Sequence, residues 1–238
     1  MHTNLQLIIG NKNYSSWSMR PWLLLRGFGI AFDELKVRFD SFEPGSRFKT
    51  RLAGFTPTGR VPVLVDGETQ VWDSLAIAEY VAERFPEHAM WPRERAARAR
   101  ARSVCAEMHS GFAALRNHFP VNIEALLPEV GQRVMASEPQ VVADVARIET
   151  IWVDALQASG GPFLFGEFGI ADAYFTPVAT RLRTYGVRLG PAAEAWMDRM
   201  HATPALADWI RDALAERDFL PFEEPYRTAA DAGHGPAA

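Results

Sequence analysis

Gly59-Arg60-Val61-Pro62-Val63-Leu64, then Asp66-Gly67, then Asp73-Ser74-Leu75-Ala76-Ile77, is the stretch that decides the fold of this 238-residue chain. Pro62 stands at the mouth of an apolar strand, where it can donate no ladder hydrogen bond. A cis bond before it would turn the chain sharply and leave the Val61 N–H and C=O free to pair with an extended peptide. Asp66-Gly67 reads as a tight hairpin turn, because glycine accepts a positive φ. The returning strand, 68–72, ends at Asp73-Ser74, which opens a helix. A carboxylate, a hydroxyl and a helix N-terminus then meet beside a free strand edge, which suits a peptide-like ligand with an amine and carboxylates. The plainer reading is a hairpin and a capped helix, with Asp73 or Ser74 serving only as the cap.

Upstream, Leu5 to Gly10 reads as an apolar strand. A helix is expected from Pro21 to Phe28, with Pro21 tolerable only in its first turn. Leu35, Val37 and Phe39 alternate onto one face of a second strand. A short helix can occupy 45–54. Downstream of the hairpin, Leu75, Ala78, Val81, Ala82 and Phe85 share one helical face. The order β-α-β-α-β-β-α is the thioredoxin-like arrangement when the last two strands form a hairpin, an argument by fold analogy. Phe85-Pro86-Glu87-His88 and Trp91-Pro92 read as a linker. Beyond it, helical spacing covers 93–118, about 138–158, 171–185, 191–201 and 204–217. The expectation is an α/β thioredoxin-like domain over 1–86 and an all-α domain over 93–226. The tail, 227–238, has little to bury and is expected to be mobile.

A net charge of −4 creates no global field toward nucleic acid or membrane. The basic run Arg93, Arg95, Arg98, Arg100 and Arg102 reads as a solvated or subunit-facing helix face. Cys105 is the single cysteine, which excludes an internal disulfide or a multi-cysteine metal site and fits a reducing compartment. The start shows no basic region followed by a long apolar run, so the expectation is a cytoplasmic protein.

Gly-Arg-Val-Pro-Val-Leu and Asp-Ser-Leu-Ala-Ile-Ala-Glu-Tyr-Val, preceded by Tyr14-Ser15-Ser16-Trp17-Ser18-Met19-Arg20, resemble the soluble glutathione S-transferases. The serine segment is similar to the Ser-Ser-x-Ser-x-Arg signature of the zeta class and related bacterial serine-type members. The likeness is strong over 5–86 and looser over the helical remainder. It implies glutathione as co-substrate without a metal, a small electrophile as acceptor, detoxifying chemistry and a homodimer.

The resemblance also implies site residues. A thiol with an ordinary pKa of about 8.5 must be held as thiolate, and a hydroxyl at a helix N-terminus can assist. Ser15, five residues before Arg20, is the first choice, with Ser16 second; either can also be a helix cap. Tyr14 is a third hydroxyl near the same pocket. Trp17 stands where many zeta-like members carry cysteine, which argues against a redox role. Arg20 is expected to tie the first helix to nearby loops. Asp73 should meet the glutathione amine, directly or through a water, and Ser74 its γ-glutamyl carboxylate. The Val61 backbone, aimed by a cis Pro62, should pair with the cysteinyl unit. Lys49, Arg60 and Arg47 are the cations available to the glycyl carboxylate. In the helical half, Gly169-Ile170-Ala171-Asp172 is similar to a buried N-capping box with glycine in place of the hydroxyl residue, so only Asp172 can reach back.

The acceptor pocket is expected between the domains, with His109, Phe112, Phe119, Tyr174 and Arg181 as possible lining. His109 and His118 read as ordinary polar side chains without a carboxylate partner. Two alternatives accompany the transferase: a cis–trans isomerase of the maleylacetoacetate type, and a non-catalytic glutathione-binding protein. Against the isomerase, no basic residue adjoins the serine pair in sequence.

Overall fold

Strand β1 (Leu5–Ile9) is apolar on both faces because helices cover both sides of the sheet it centres. The computed structural model describes residues 5–231. The sheet order is β2-β1-β3-β4. β2 (Asp33–Lys36) runs parallel to β1, with Leu7 opposite Glu34. β3 (Val63–Asp66) is antiparallel to β1, with Leu7 opposite Leu64. β4 (Thr69–Trp72) returns from β3 through Gly67, whose φ of 60° suits a residue without Cβ. Leu5, Leu7 and Ile9 face a core shared with α1 (Ser16–Gly27) and α3 (Ser74–Arg84). Ile8 and Val63 face the opposite side, against Phe48 and Leu52 of α2 (Arg47–Leu52). This is the thioredoxin-like arrangement expected from the element order.

Two expected boundaries move. α1 begins five residues before Pro21, so that proline lies in its second turn with no N–H for the Trp17 carbonyl. The cap at Ser15 and the packing of α1 on the helical half override the proline signal. β2 ends at Lys36, although the Val37 N–H still reaches the Ile9 carbonyl at 2.8 Å. Val37 and Phe39 leave the ladder to bury their side chains in the α2 cluster.

The remainder is helical. The expected helix over 93–118 is two helices, α4 (Arg95–Ser110) and α5 (Ala113–His118). They part at Phe112, whose left-handed φ of 59° no continuous helix accepts. α6 (Pro128–Ser137) was not expected from periodicity, although Pro128 stands at its first position, a known start signal. α7 (Pro139–Ser159), α8 (Ile170–Thr184), α9 (Pro191–His201) and α10 (Pro204–Glu216) follow. α8 is buried along almost its whole length and packs against α1, α4 and α9. Its start is fixed by Asp172, which accepts hydrogen bonds from the N–H groups of Gly169 and Leu164, both at 3.0 Å, and from Trp196 Nε1 at 2.8 Å. Burial pushes the Asp172 carboxyl up to about 6 despite those donors.

Arg227, where a mobile tail was expected to begin, is instead buried and paired with Glu224 and Glu124. The last stretch, 232–238, lies outside the described residues. No helix among the described residues is long and apolar enough to cross a membrane.

Candidate functional site

Between β1 and α1 the chain makes a tight polar loop, and the serines follow it. Ser15 is the N-cap of α1: its Oγ accepts from the Ser18 N–H at 3.4 Å and donates to Ser18 Oγ at 2.8 Å. Ser18 Oγ in turn accepts the Gly10 N–H at 3.2 Å. The Ser15 proton is thus spent inside the turn. Ser16, the first helical residue, differs. Its Oγ accepts from Arg181 Nη2 at 3.4 Å, and its own proton goes to no acceptor among the described residues. Tyr14 is also committed, because its hydroxyl donates to Glu224 Oε1 at 2.7 Å, with the Asp218 carbonyl at 3.0 Å. Burial, then Glu224, pushes the Tyr14 phenol well above its ordinary range.

A second group forms where β4 meets α3. Asp73 caps α3 with φ 75°, accepting the Leu75 N–H at 2.8 Å and leaving its other oxygen, Oδ2, 3.3 Å from His109 Nε2. So His109, read as unpartnered, does face a carboxylate, supplied by another element. Ser74 is buried, with its Oγ 2.9 Å from the Tyr174 hydroxyl of α8. The Val61–Pro62 bond is cis. The Val61 N–H and C=O pair with no other group among the described residues. Lys49 Nζ donates to the Gly59 carbonyl at 2.8 Å beside this edge, whereas Arg47 and Arg60 are exposed.

Cations link the two groups. Arg20 is buried and stacked between the rings of Trp17 and Tyr174, 4.3 and 4.6 Å from their centroids. Its Nε and Nη1 are buried without an acceptor. The expected ties to loops are replaced by ring stacking, which a planar guanidinium accepts. Arg116 covers Trp17 at 5.0 Å and holds the Met108 and His109 carbonyls at the end of α4. Arg181 donates to the Phe119 carbonyl at 2.7 Å and to Ser16. Burial lowers the pKa of Arg20 to about 10 and that of Arg181 to about 9, and nearby guanidiniums add to it. Of the expected lining residues, His109, Tyr174 and Arg181 reach this region. Phe112 is buried in the core, and Phe119 stacks on Tyr185 with centroids 4.4 Å apart.

Arg181 corrects the reading that no basic residue adjoins the serines: the sequence separation is 165 residues, and only the docking of α8 on α1 closes it. Arg181 was expected only as pocket lining; Arg116 was not singled out at all, and no local pattern would have found it. Cys105 is buried on α4, with its thiol pushed up by burial. Electrostatically the region is a helix N-terminus flanked by buried guanidiniums, a place that favours an anion beside the Ser16 hydroxyl.

The chain is similar to known proteins over most of its length. A family model described as "Glutathione S-transferase, N-terminal domain" matches residues 14–84, and one described as "Glutathione S-transferase, C-terminal domain" matches 93–212. A zeta-class glutathione S-transferase from Euphorbia esula is 29% identical over 166 residues, covering 68% of this chain and 70% of its own. The maleylacetoacetate isomerase of Rattus norvegicus is 27% identical over 180 residues, 74% of this chain and 77% of its own. Among solved structures, a glutathione transferase homologue from a Burkholderia, with bound glutathione, superposes with a TM-score of 0.63 at 22% identity. It covers 88% of this chain and 98% of its own.

Proposed function

The chain belongs to the glutathione S-transferase family, and from that premise we propose that it is a glutathione transferase whose Ser16 hydroxyl activates the thiol. The carrying observation is the Ser16 hydroxyl at the start of α1, which accepts from Arg181 and donates to no acceptor among the described residues. A thiolate placed there receives one hydroxyl hydrogen bond and the field of a helix N-terminus and a guanidinium. Ser15 then serves as the cap that shapes the turn. The thiolate attacks an electrophilic carbon of a small acceptor, displacing a leaving group or adding across a double bond with a proton taken up at the neighbouring carbon, or attacks a peroxide oxygen, giving the alcohol and water as a second glutathione completes the disulfide. The tripeptide lies along the free edge at Val61, its amine toward Asp73, its γ-glutamyl carboxylate toward Ser74 at the N-terminus of α3, and its glycyl end toward Lys49. The protein is proposed to work as a homodimer in the cytoplasm, as the resemblance of its sequence to the family implies.

A turnover screen with glutathione and aryl halides, organic peroxides and maleyl diacids tests the activity. Turnover of at least one class is expected; glutathione binding without any turnover would favour the non-catalytic reading. The isomerase keeps a place in the screen for one reason: Arg181 puts a cation where a carboxylate-bearing acceptor would meet the thiolate.

Two consequences concern the γ-glutamyl end. Ser74→Ala should weaken glutathione binding by about 1–3 kcal/mol, the loss expected for a hydrogen bond to a charged group. Unchanged calorimetric affinity in a folded variant would remove Ser74 from the site. His109 supplies a pH dependence. Burial, with Arg20 and Arg116, lowers its pKa against the pull of Asp73, so it is neutral at pH 7. Its folded pKa lies below the ordinary 6.5, so it takes up its proton at lower pH than an unperturbed imidazole does. The resulting cation engages Asp73 and competes with the ligand amine. S-methylglutathione, which has no titrating thiol, should therefore bind about two- to fivefold more weakly at pH 5 than at pH 7.5, the range of a partly exposed ion pair. His109→Asn should flatten that dependence, and an equally steep one in the variant would refute the role of His109.

A further inference from the structure

We propose that Glu216, the last residue of α10, is a positioning residue for the loop that carries Ser15 and Ser16, so that thiol activation depends on the docked C-terminal segment. This rests on the glutathione transferase reading above.

A carboxylate in the last turn of a helix faces the negative end of the helix dipole. Glu216 occupies that place with no basic residue in the last turn, and its side chain is only 4% exposed. Its compensation comes from the serine loop. Oε1 accepts the Lys12 N–H at 2.9 Å, and Oε2 accepts the Asn13 N–H and Asn11 Nδ2, both at 3.4 Å. The carboxylate thus caps two consecutive amides of a buried loop more than 200 residues away in sequence. Lys36 Nζ, at 3.1 Å, is its one ion-pair partner among the described residues.

The chain beyond Glu216 continues the same work. Arg217 takes a left-handed φ of 46°, disfavoured for a residue with Cβ, and this turns the chain back toward β1. Asp218 then accepts Asn11 Nδ2 at 3.0 Å, and Glu224 accepts the Tyr14 hydroxyl. The Asn11 carbonyl in turn accepts the N–H groups of Tyr14 at 3.2 Å and Ser15 at 2.8 Å. Glu216 is therefore two hydrogen bonds from Ser15 and three from Ser16, whose N–H reaches the Tyr14 carbonyl at 3.2 Å. The glutathione contacts assigned to Asp73, Ser74 and Val61 lie on other elements. Loosening the loop should therefore change the state of the thiol more than the grip on the peptide.

Glu216→Gln keeps shape but turns one acceptor into a donor facing the loop. The thiolate absorbance of bound glutathione, followed against pH, should shift upward by about 0.5–1 unit from a parent midpoint near about 6.5, a roughly 1.5- to threefold loss of thiolate at pH 7. The kcat should fall in proportion at pH 7 and recover at high pH, while KM for glutathione stays within about twofold of the parent. Asp208→Asn, on the same helix but paired with Arg26 and Arg211, should leave the titration unmoved. If Glu216→Gln does not fold, Asp218→Asn weakens one loop contact, that to Asn11, together with the ion pair to Arg38, and should shift the titration the same way by less. A folded Glu216→Gln, or Asp218→Asn in its place, that titrates and turns over like the parent overturns this proposal alone. A parent protein that shows no thiolate absorbance with glutathione overturns the transferase reading, and this proposal with it.

Discussion

Ser16→Ala is expected to lower turnover with glutathione at pH 7 by about 10- to 25-fold while KM for glutathione stays within about twofold. The reasoning starts from protons. Four hydroxyls crowd the entrance to α1: Ser18 is sealed in the core, and Ser15 and Tyr14 have given their protons away, Ser15 to Ser18 and Tyr14 to Glu224. Ser16 has not, and it sits against Arg181. Lowering a thiol pKa by two units takes roughly 2.7 kcal/mol of differential stabilisation. A hydrogen bond to an ionised partner supplies about 1.5–3 kcal/mol of that. Losing it costs the thiolate and leaves the γ-glutamyl and cysteinyl backbone contacts in place, so the loss appears in kcat. Ser15→Ala makes a useful contrast. As a cap it should cost about 1 kcal/mol of stability and move turnover far less. The reverse pattern would return the role to Ser15.

Asp172→Ala is expected to destabilise the protein by about 3–5 kcal/mol near pH 5, measured by urea unfolding. The substitution strands the Leu164 and Gly169 amides and the Trp196 indole N–H in the core. It also loosens the start of α8, which carries both Tyr174 and Arg181 to the site. The sign of its pH dependence follows from the raised carboxyl. The folded value, about 6, lies above the ordinary 3.8, so the folded state holds a proton that the unfolded chain has released. The stability linked to that proton is full below about 3.8 and is lost as pH rises through about 6. The deficit of the variant should therefore be smaller at pH 8 than at pH 5. Equal deficits at the two pH values would show that the carboxyl is not protonated in the core.

What the sequence revealed is local, and what it hid is tertiary. Pro62, Gly67 and Ser74 each act within a few residues, so the hairpin and the opening of α3 could be read directly. Ser15 and Ser16 were identified together, but only the fold separates them, because their proton partners differ. The Arg181 contact spans 165 residues and the Ser74–Tyr174 contact 100, both set by how α8 docks. His109 finds Asp73 only because α4 passes the end of β4. The start of α1 was misplaced because a proline rule holds for isolated helices, while here a serine cap and burial against α8 carry the helix through Pro21. The ion pairs that anchor Arg227 likewise join groups with no shared local pattern.

The ultraviolet thiolate absorbance of glutathione bound to the parent protein and to Ser16→Ala, each titrated with pH, tests the central claim most directly. The parent should titrate about two units below the 8.5 of a free thiol, and Ser16→Ala should return most of the way to it. A parent midpoint near 8.5, or a Ser16→Ala midpoint equal to that of the parent, would contradict the account.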